Sequence, residues 1–464
     1  MPTLEPRALS ALRRALPSGA VVTDPDARAS YARDESETEP VLPDAVVRVS
    51  STDEVAAVMR VATEHRVPVT PRAGGTGRSG GAVPVEGGWV MAFERFGGIE
   101  EISREDMLAV VRPGTVLGDV FAAVEAEGLF YPPDPNSWAS CTIGGNVAEN
   151  AGGPRAVKYG VTRDWVLGLE VVLADGRTLA LGRRTPKGVT GYDLTSLMVG
   201  SEGTLGLVTR VTLKLAPKPE AVRTLAVYLD DESEMASAVS ACLRIGVTPR
   251  CVEVLDAITL GVVHAAGVPM PMGAKALCLV EVDGDEIRAD EDMERVGNAL
   301  VDAGALEVLA AKHAGDRERL WAARREMSRS LRALAAHKLS EDVVVPRSQL
   351  GALLARCRQI AEARDIRMPA YGHAGDGNMH VNFLWDTPDE RPRVDRAIQD
   401  LLEAVVALRG TLSGEHGIGA LKAPYLRLEQ SDALVEVQRS LKQTLDPHGI
   451  LNPGKIFAPG HGAC

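Results

Sequence analysis

The segment AYGHAGDGNMHVNF, Ala370 to Phe383, carries the densest chemistry in the chain. Asp376-Gly377 has the composition of a two-residue type I′ turn, so the flanking residues are expected to pair outward from it. That pairing sets Gly375 opposite Asn378, Ala374 opposite Met379 and His373 directly opposite His380. The two imidazoles then stand on one face of adjacent strands with Cβ atoms about 4.5–5.5 Å apart, and the two-residue alternation adds Tyr371 and Asn382 to that face. Two neutral imidazoles at this separation can chelate one metal ion. Downstream, GTLSGEHGIG offers Glu415, beside His416, as a carboxylate ligand in a glycine-flanked loop. Two histidines and one carboxylate leave coordination positions open, as a catalytic metal requires. A structural histidine pair in a sheet, with Asp376 a turn former only, fits the same residues.

A second constellation is PRAGGTGRSGGAVP, Pro71 to Pro84, in which Gly75, Gly77 and Gly80 fall at the G-x-G-x-x-G spacing of a dinucleotide-binding turn. The spacing follows a short strand, VPVT, but a Rossmann loop must next open a helix whose N-terminus faces the pyrophosphate. Gly80, Gly81, Pro84, Gly87 and Gly88 occupy that place and oppose a helix. Glu100 and Glu101 lie at a ribose-contact distance downstream, which carries little weight without the helix. The remaining readings are a backbone N–H cradle for an anion such as pyrophosphate, or a glycine-rich surface turn.

The elements that must position these groups follow from pattern. SSTDEVAAVMRVATEHRV opens with Ser51 and Glu54 in capping-box spacing and puts Val55, Val58, Met59 and Ala62 on one helical face. Pro132 to Gly160 is too rich in Gly, Asn and Pro for a regular element and too long for an idle connection, so it is expected to be a functional loop. LEVVLADGRTLAL is a hairpin turning at Asp175-Gly176, and a further glycine-rich turn, Gly200 to Gly206, feeds the alternating strand LVTRVTLKL. From Val222 to about Asp365 strands alternate with helical segments, a second domain of β-α-β units.

Composition bounds the rest. At 464 residues two domains are expected, and 45% hydrophobic with 25% charged residues is a globular balance. No apolar run approaches the roughly 18 residues of a membrane helix, and the amphipathic start MPTLEPRALSALRRALP is no secretory signal, so a cytoplasmic protein is expected. A net charge of −12 disfavours nucleic acid as a partner and leaves an anionic substrate to a local cluster of Arg and Lys. Six cysteines without a C-x-x-C pair argue against iron–sulfur or zinc-ribbon sites.

The segments PRAGGTGRSGGAVP, PPDPNSWASCTIGGNVAENAGG, VGSEGTLGLVT, GHAGDGNMHVNF, SGEHGIG and LDPHGILNPGKIF occur in this order along the chain. With them the chain resembles the FAD-binding vanillyl-alcohol oxidase superfamily. Over its whole length it is similar to the branch of glycolate oxidase GlcD-type subunits, D-lactate dehydrogenases and D-2-hydroxyglutarate dehydrogenases. The resemblance implies an α+β fold: a two-part FAD-binding domain of the vanillyl-alcohol oxidase type plus an α+β substrate (cap) domain with an antiparallel sheet. Residues 1–40 would form an N-terminal helical segment, 41–217 the FAD-binding domain, 218–420 the substrate domain with its metal site, and 421–464 a C-terminal segment returning to the FAD domain.

By the same resemblance Arg72, Ala73, Gly74, Gly75, Thr76, Gly77, Arg78 and Ser79 wrap the FAD pyrophosphate. Pro133, Asp134, Cys141, Thr142, Gly144, Gly145, Asn146, Ala148 and Asn150 line the rest of the cofactor with Glu202, Gly203, Leu205, Gly206 and Val208, and Asn452 lies near it. Residues 71–84 hold no histidine for a covalent link, so FAD binds non-covalently. A divalent metal, zinc in this branch, sits on His373, His380 and Glu415; His416 is the general base and contacts substrate, as does Asn382. The substrate carboxylate falls to Arg324, three residues after Trp321, with Arg325 as a substitute. Lys338 stays unassigned because it lies two positions before the place where the motif of some relatives would put a lysine, which weakens a specific reading of 2-hydroxyglutarate.

The implied function is an FAD-dependent D-2-hydroxy acid dehydrogenase acting on D-lactate, glycolate or a related acid, with hydride transfer to flavin N5 assisted by metal and histidine. The product is a 2-oxo acid. The electron acceptor would be an electron-transfer protein, a cytochrome or a quinone, and a homodimer is an open assembly. A D-2-hydroxyglutarate dehydrogenase is the alternative within the class. An alkyl-dihydroxyacetonephosphate synthase-like transferase and a non-catalytic flavin-binding subunit are alternatives outside it.

Overall fold

The structure, a computed structural model, describes residues 6–457 apart from 266, 268, 269, 312 and 313. The chain divides into two compact units: residues 1–152, 161–218 and 415–464 form the first, and residues 153–160 and 219–414 the second.

In the first unit the helix Thr52–His65 begins where the capping signal puts it, with the Ser51 hydroxyl accepting from the Glu54 amide at 3.3 Å. The Glu54 carboxylate turns back to the Ser50 amide and hydroxyl instead of completing a box on Ser51. Its buried face, Val55, Val58, Met59 and Ala62, packs with Ala8 and Leu12 of the N-terminal helix Pro6–Ala15 against Val47, Val69, Trp89 and Met91. Those last four belong to a four-stranded sheet in which Ala45–Arg48, Trp89–Ala92 and Val69–Arg72 run parallel and Val21–Val22 antiparallel. The first 40 residues therefore contribute a strand as well as helices. A five-stranded antiparallel sheet, in the order Ile99–Ser103, Leu108–Val111, Leu207–Lys214, Val166–Val172 and Thr178–Gly182, completes the unit's larger sheets. The expected hairpin at Asp175-Gly176 joins its last two strands, with Gly176 at φ +81°.

The second unit is built on seven strands: β1 (Ala221–Leu229), β2 (Cys251–Leu255), β3 (Ala276–Gly284), β4 (Glu307–Ala311), β5 (His337–Val344), β6 (Ala370–His373) and β7 (Asn378–Trp385). They form one sheet in the order β4-β1-β3-β2-β6-β7-β5, and every neighbouring pair is antiparallel. Helices intervene as the alternation predicts, including Ala314–Arg332 between β4 and β5. Strands β2, β3, β6 and β7 are almost wholly buried, so the polar residues within them must find partners inside the protein.

Two expectations are corrected. The stretch Pro132 to Gly160 is not all loop, because Ile143–Glu149 and Ala156–Tyr159 are helical. Tertiary packing overrides the glycine propensity: a Cβ on Gly144 would come within 2.7 Å of Pro113 Cβ, so the helix lies where only glycine fits. It ends on Asn150 in the left-handed region, at φ 55°. The β6–β7 turn is also not a type I′ pair. That turn needs positive φ at both central residues, and only Gly377, at φ +89°, adopts it. The connection is instead the four residues 374–377, with the Gly375 amide drawn to the Val252 carbonyl at 3.1 Å.

Five cysteines, Cys141, Cys242, Cys251, Cys278 and Cys357, are buried free thiols, and Cys464 lies outside the described residues. No helix among the described residues is long and apolar enough to cross a membrane.

Candidate active site

The glycine loop leaves the strand Val69–Arg72 and runs through residues 73–88 without entering a helix, which rules out the Rossmann arrangement. The other glycine-rich segments of the first unit close around it. A Cβ on Gly74 would meet the Ser140 carbonyl at 2.7 Å, one on Gly145 the Ala73 methyl at 3.2 Å, and one on Gly203 the Pro71 ring at 2.6 Å. Backbone bonds from Gly200 to Val147 and from Glu202 to Ala148 fasten the third segment to the helix Ile143–Glu149. Asn452 clips the assembly together by donating to the Glu202 carbonyl at 2.7 Å and the Gly81 carbonyl at 3.1 Å. The loops carrying Arg72 to Ser79, Cys141 to Asn150 and Glu202 to Val208 are therefore neighbours. Pro133 is buried and Asp134 half-buried in the irregular stretch before them.

The polar atoms of this nest suit a large polar cofactor. Ser79 Oγ, Thr142 Oγ1 and Asn452 Oδ1 are buried without a hydrogen-bond partner, a state that proteins avoid unless a ligand completes it. The Arg72 guanidinium folds over Gly75, donates to the Arg33 carbonyl at 2.5 Å and lies 5.7 Å from the Tyr31 ring centroid. The Glu202 carboxylate accepts from the Ile418 and Gly419 amides at 2.7 and 2.8 Å. Burial, reinforced by the negative charges of Glu202 and Asp34, holds the neighbouring Glu149 carboxyl well above the usual carboxylate range. Glu100 and Glu101 have no part here, since they pair with Arg112, Arg210 and Arg184 on the surface.

In the second unit the two histidines do share a face, but not as a directly opposed pair. His373 faces Asn378 and His380 faces Tyr371, two residues out from the expected register, so the imidazoles are diagonal neighbours. A slip of two residues preserves the face, and the rings stand edge to face with centroids 5.2 Å apart.

The neighbouring strands supply what the sequence reading missed. Glu253 on β2 is the register partner of His373, and Asp342 on β5 is the register partner of His380. Carboxylate–imidazole pairs thus lie in two offset rows, Glu253–His373 across β2 and β6 and His380–Asp342 across β7 and β5. Glu253 Oε1 lies 2.5 Å from His373 Nδ1, which leaves Nε2 as that ring's ligand nitrogen. Asp342 Oδ1 is 3.8 Å from His380 Nδ1 and accepts from Asn378 Nδ2 at 2.5 Å. Its second oxygen accepts from the Ser413 hydroxyl at 3.1 Å and the Gly414 amide at 2.9 Å. Asp342 thereby pins the chain one peptide bond before Glu415. His373 and His380 each present a ring nitrogen on this face of the sheet, and Glu415 is the residue that follows Gly414 in the chain. The donor set and its carboxylate-backed histidine fit a divalent cation.

The other predicted residues take definite positions. Arg324, on the helix Ala314–Arg332, is buried, pairs with Glu253 at 2.6–2.7 Å and stacks on Tyr371 with 4.7 Å from its guanidinium carbon to the ring centroid. Tyr371 in turn lies 5.4 Å from the His380 ring. Asn382 is fully buried, donates to the Pro369 and His380 carbonyls, and its Oδ1 has no hydrogen-bond partner. His416 is partly exposed, with Nε2 4.0 Å from Glu415 Oε1. Lys338 donates to Ser328 Oγ at 3.1 Å, and the side chain of Arg325 lies outside the described residues.

Comparison with known proteins gives the class, a flavin-binding oxidoreductase. Residues 43–182 match the FAD binding domain family, and residues 218–456 match the family of FAD linked oxidases, C-terminal domain. The chain is 42% identical to the glycolate oxidase subunit GlcD of Bacillus subtilis (strain 168), over 93% of this chain and 92% of the relative. It is 36% identical to a D-lactate dehydrogenase of Archaeoglobus fulgidus, over 89% and 90% of the two chains. It is 31% identical to a D-2-hydroxyglutarate dehydrogenase of Stutzerimonas stutzeri, over 98% and 99%. Among solved structures p-cresol methylhydroxylase superposes with a TM-score of 0.84 at 19% identity, covering 98% of both chains. Alkyldihydroxyacetonephosphate synthase superposes with 0.78 at 19%, covering 97% of this chain and 86% of that one; both likenesses concern the fold alone. The chain belongs to the FAD-linked oxidases, with an FAD-binding domain of the vanillyl-alcohol oxidase type, and is an FAD-dependent oxidoreductase.

Proposed function

We propose that the protein oxidises a D-2-hydroxy acid, such as D-lactate or glycolate, to the 2-oxo acid, using non-covalent FAD and a divalent cation, zinc by preference, on His373, His380 and Glu415. The relatives' names supply the substrate class, and the carboxylate-backed imidazole pair beside a buried arginine is the observation that carries it to this chain. When bound, the flavin accepts a hydride and the cation withdraws electron density from the substrate hydroxyl.

The chain's own residues do the rest. Arg324 receives the substrate carboxylate, and its stacking on Tyr371 keeps the guanidinium in one plane. His416 takes the hydroxyl proton as the α-hydrogen leaves with its electron pair. Asn382 Oδ1, buried and without a hydrogen-bond partner, offers an acceptor for a substrate hydroxyl. Electrons then leave to an acceptor other than a nicotinamide, either an electron-transfer protein, a cytochrome or a quinone.

Turnover of the purified protein with a panel of D- and L-2-hydroxy acids and a dye acceptor tests this reading. Reduction of the dye by a D-acid or glycolate is expected; a protein that holds FAD yet oxidises no member of the panel refutes it.

A further inference from the structure

We propose that Glu253 is a positioning residue that couples the metal-binding imidazole to the substrate-binding arginine. The proposal rests on the functional reading above and adds a role for a residue outside its ligand and substrate sets. Glu253 sits in the middle of CVEVL, a strand whose five residues are all buried, where an ionised side chain is costly unless its partners are fixed. Its two oxygens are divided between two partners. Oε1 lies 2.5 Å from His373 Nδ1, and Oε2 accepts from Arg324 Nε at 2.7 Å and makes an ion-pair contact with Nη2 at 2.6 Å.

Each bond has a distinct consequence. The carboxylate on Nδ1 fixes the imidazole tautomer, aims Nε2 away from β2 and makes it a stronger donor to a cation. The hydrogen bond from Nε, with the ion-pair contact of Nη2 on the same oxygen, fixes the rotation of the guanidinium and leaves its terminal N–H groups for a second carboxylate. Tyr371, beneath the guanidinium, closes the remaining freedom. One rigid carboxylate thus orients both the imidazole that would hold a cation and the guanidinium that would hold a substrate carboxylate. A 2-hydroxy acid bears its hydroxyl on the carbon next to its carboxylate, so its two polar groups can meet both at once. The same device suits that substrate class better than a simple alcohol.

Glu253→Gln keeps the volume but offers one acceptor where two donors must be met. In the FAD-loaded protein, zinc affinity measured by competition with a chromophoric chelator should fall about 10- to 100-fold. At saturating zinc, KM for the preferred 2-hydroxy acid should rise by about tenfold or more while kcat changes less. Because the effect on KM runs through Arg324, Glu253→Gln should add nothing to KM in an Arg324→Gln background. Unchanged zinc affinity, or an equal rise of KM with and without Arg324, overturns the proposal. Should Glu253→Gln give no folded protein, Glu253→Asp, one methylene short of reaching both partners, must show both losses, and wild-type values in it overturn the proposal equally. His380→Ala is measured alongside. If that variant binds zinc as tightly as wild type, the metal reading itself fails; if it loses zinc while Glu253→Gln keeps it, only the role of Glu253 fails.

Discussion

Replacing Asp342 by asparagine gives a sharp test of how the strand next to His380 supports the site. The carboxylate accepts from Asn378 Nδ2 with one oxygen and from Ser413 Oγ and the Gly414 amide with the other, and it is fully buried. An asparagine has one acceptor and one donor in the same outline. If its oxygen stays on Gly414, its NH2 group confronts the NH2 of Asn378; flipping Asn378 to escape costs that residue its bond to the Val343 carbonyl. One hydrogen bond is lost in either case, and those that remain on residue 342 lose their charge, so about 2–3 kcal/mol of stability should go. The Ser413-Gly414 anchor loosens at the same time, one residue before Glu415, and zinc affinity should fall about 10- to 100-fold. Urea unfolding of the metal-free protein and chelator competition read the two effects separately. A variant that unfolds within about 0.5 kcal/mol of wild type and binds zinc as tightly would refute the argument that this carboxylate holds the site together.

Three further outcomes follow from the first unit and from His416. The raised Glu149 carboxyl keeps its proton in the folded protein over a pH range in which the unfolded chain has released it, so folding stability falls as pH rises above the ordinary value of 4.5. Glu149→Gln removes that slope, and its stability advantage over wild type should grow with pH by up to about 1.4 kcal/mol per unit; parallel stability–pH curves would contradict this. Gly144→Ala should lower the urea midpoint by an amount worth about 1–3 kcal/mol, since the new methyl meets Pro113 at 2.7 Å, and a wild-type midpoint would show that the helix can shift freely. His416→Ala should reduce turnover by about 100-fold or more while the purified protein stays yellow with bound FAD, and near-wild-type turnover would remove His416 as the base.

Much of the site was legible because period two is robust. His373, Tyr371, His380 and Asn382 share a face whether the hairpin turns on two residues or four, so the metal hypothesis survives an error in register. The register itself depends on the φ of Asp376 and on the capture of the Gly375 amide by Val252, a contact from a strand more than a hundred residues away. The helix Ile143–Glu149 was hidden by its glycines, which are there for close packing on Pro113 and Ala73; the left-handed Asn150 before Ala-Gly-Gly was the one local sign of a helix end. Glu253 had a weaker signal, an acidic residue inside the otherwise apolar CVEVL, which announces a buried charge without naming its partner, whereas Asp342 sits among the polar residues of HKLSEDVV and does not stand out. Their roles emerge only from the strand order β2-β6-β7-β5, which joins segments distant in sequence.

The central claim, that a cation on the imidazole pair is needed for oxidation by a separately bound flavin, is tested most directly by one anaerobic mixing experiment. The FAD-loaded protein is mixed with its preferred 2-hydroxy acid before and after removal of metal by chelation, and the visible absorbance of oxidised flavin is followed. Rapid bleaching in the intact protein, loss of bleaching after chelation with flavin still bound, and recovery on adding zinc are the predicted results. Bleaching at an undiminished rate in protein shown to be metal-free would contradict the account.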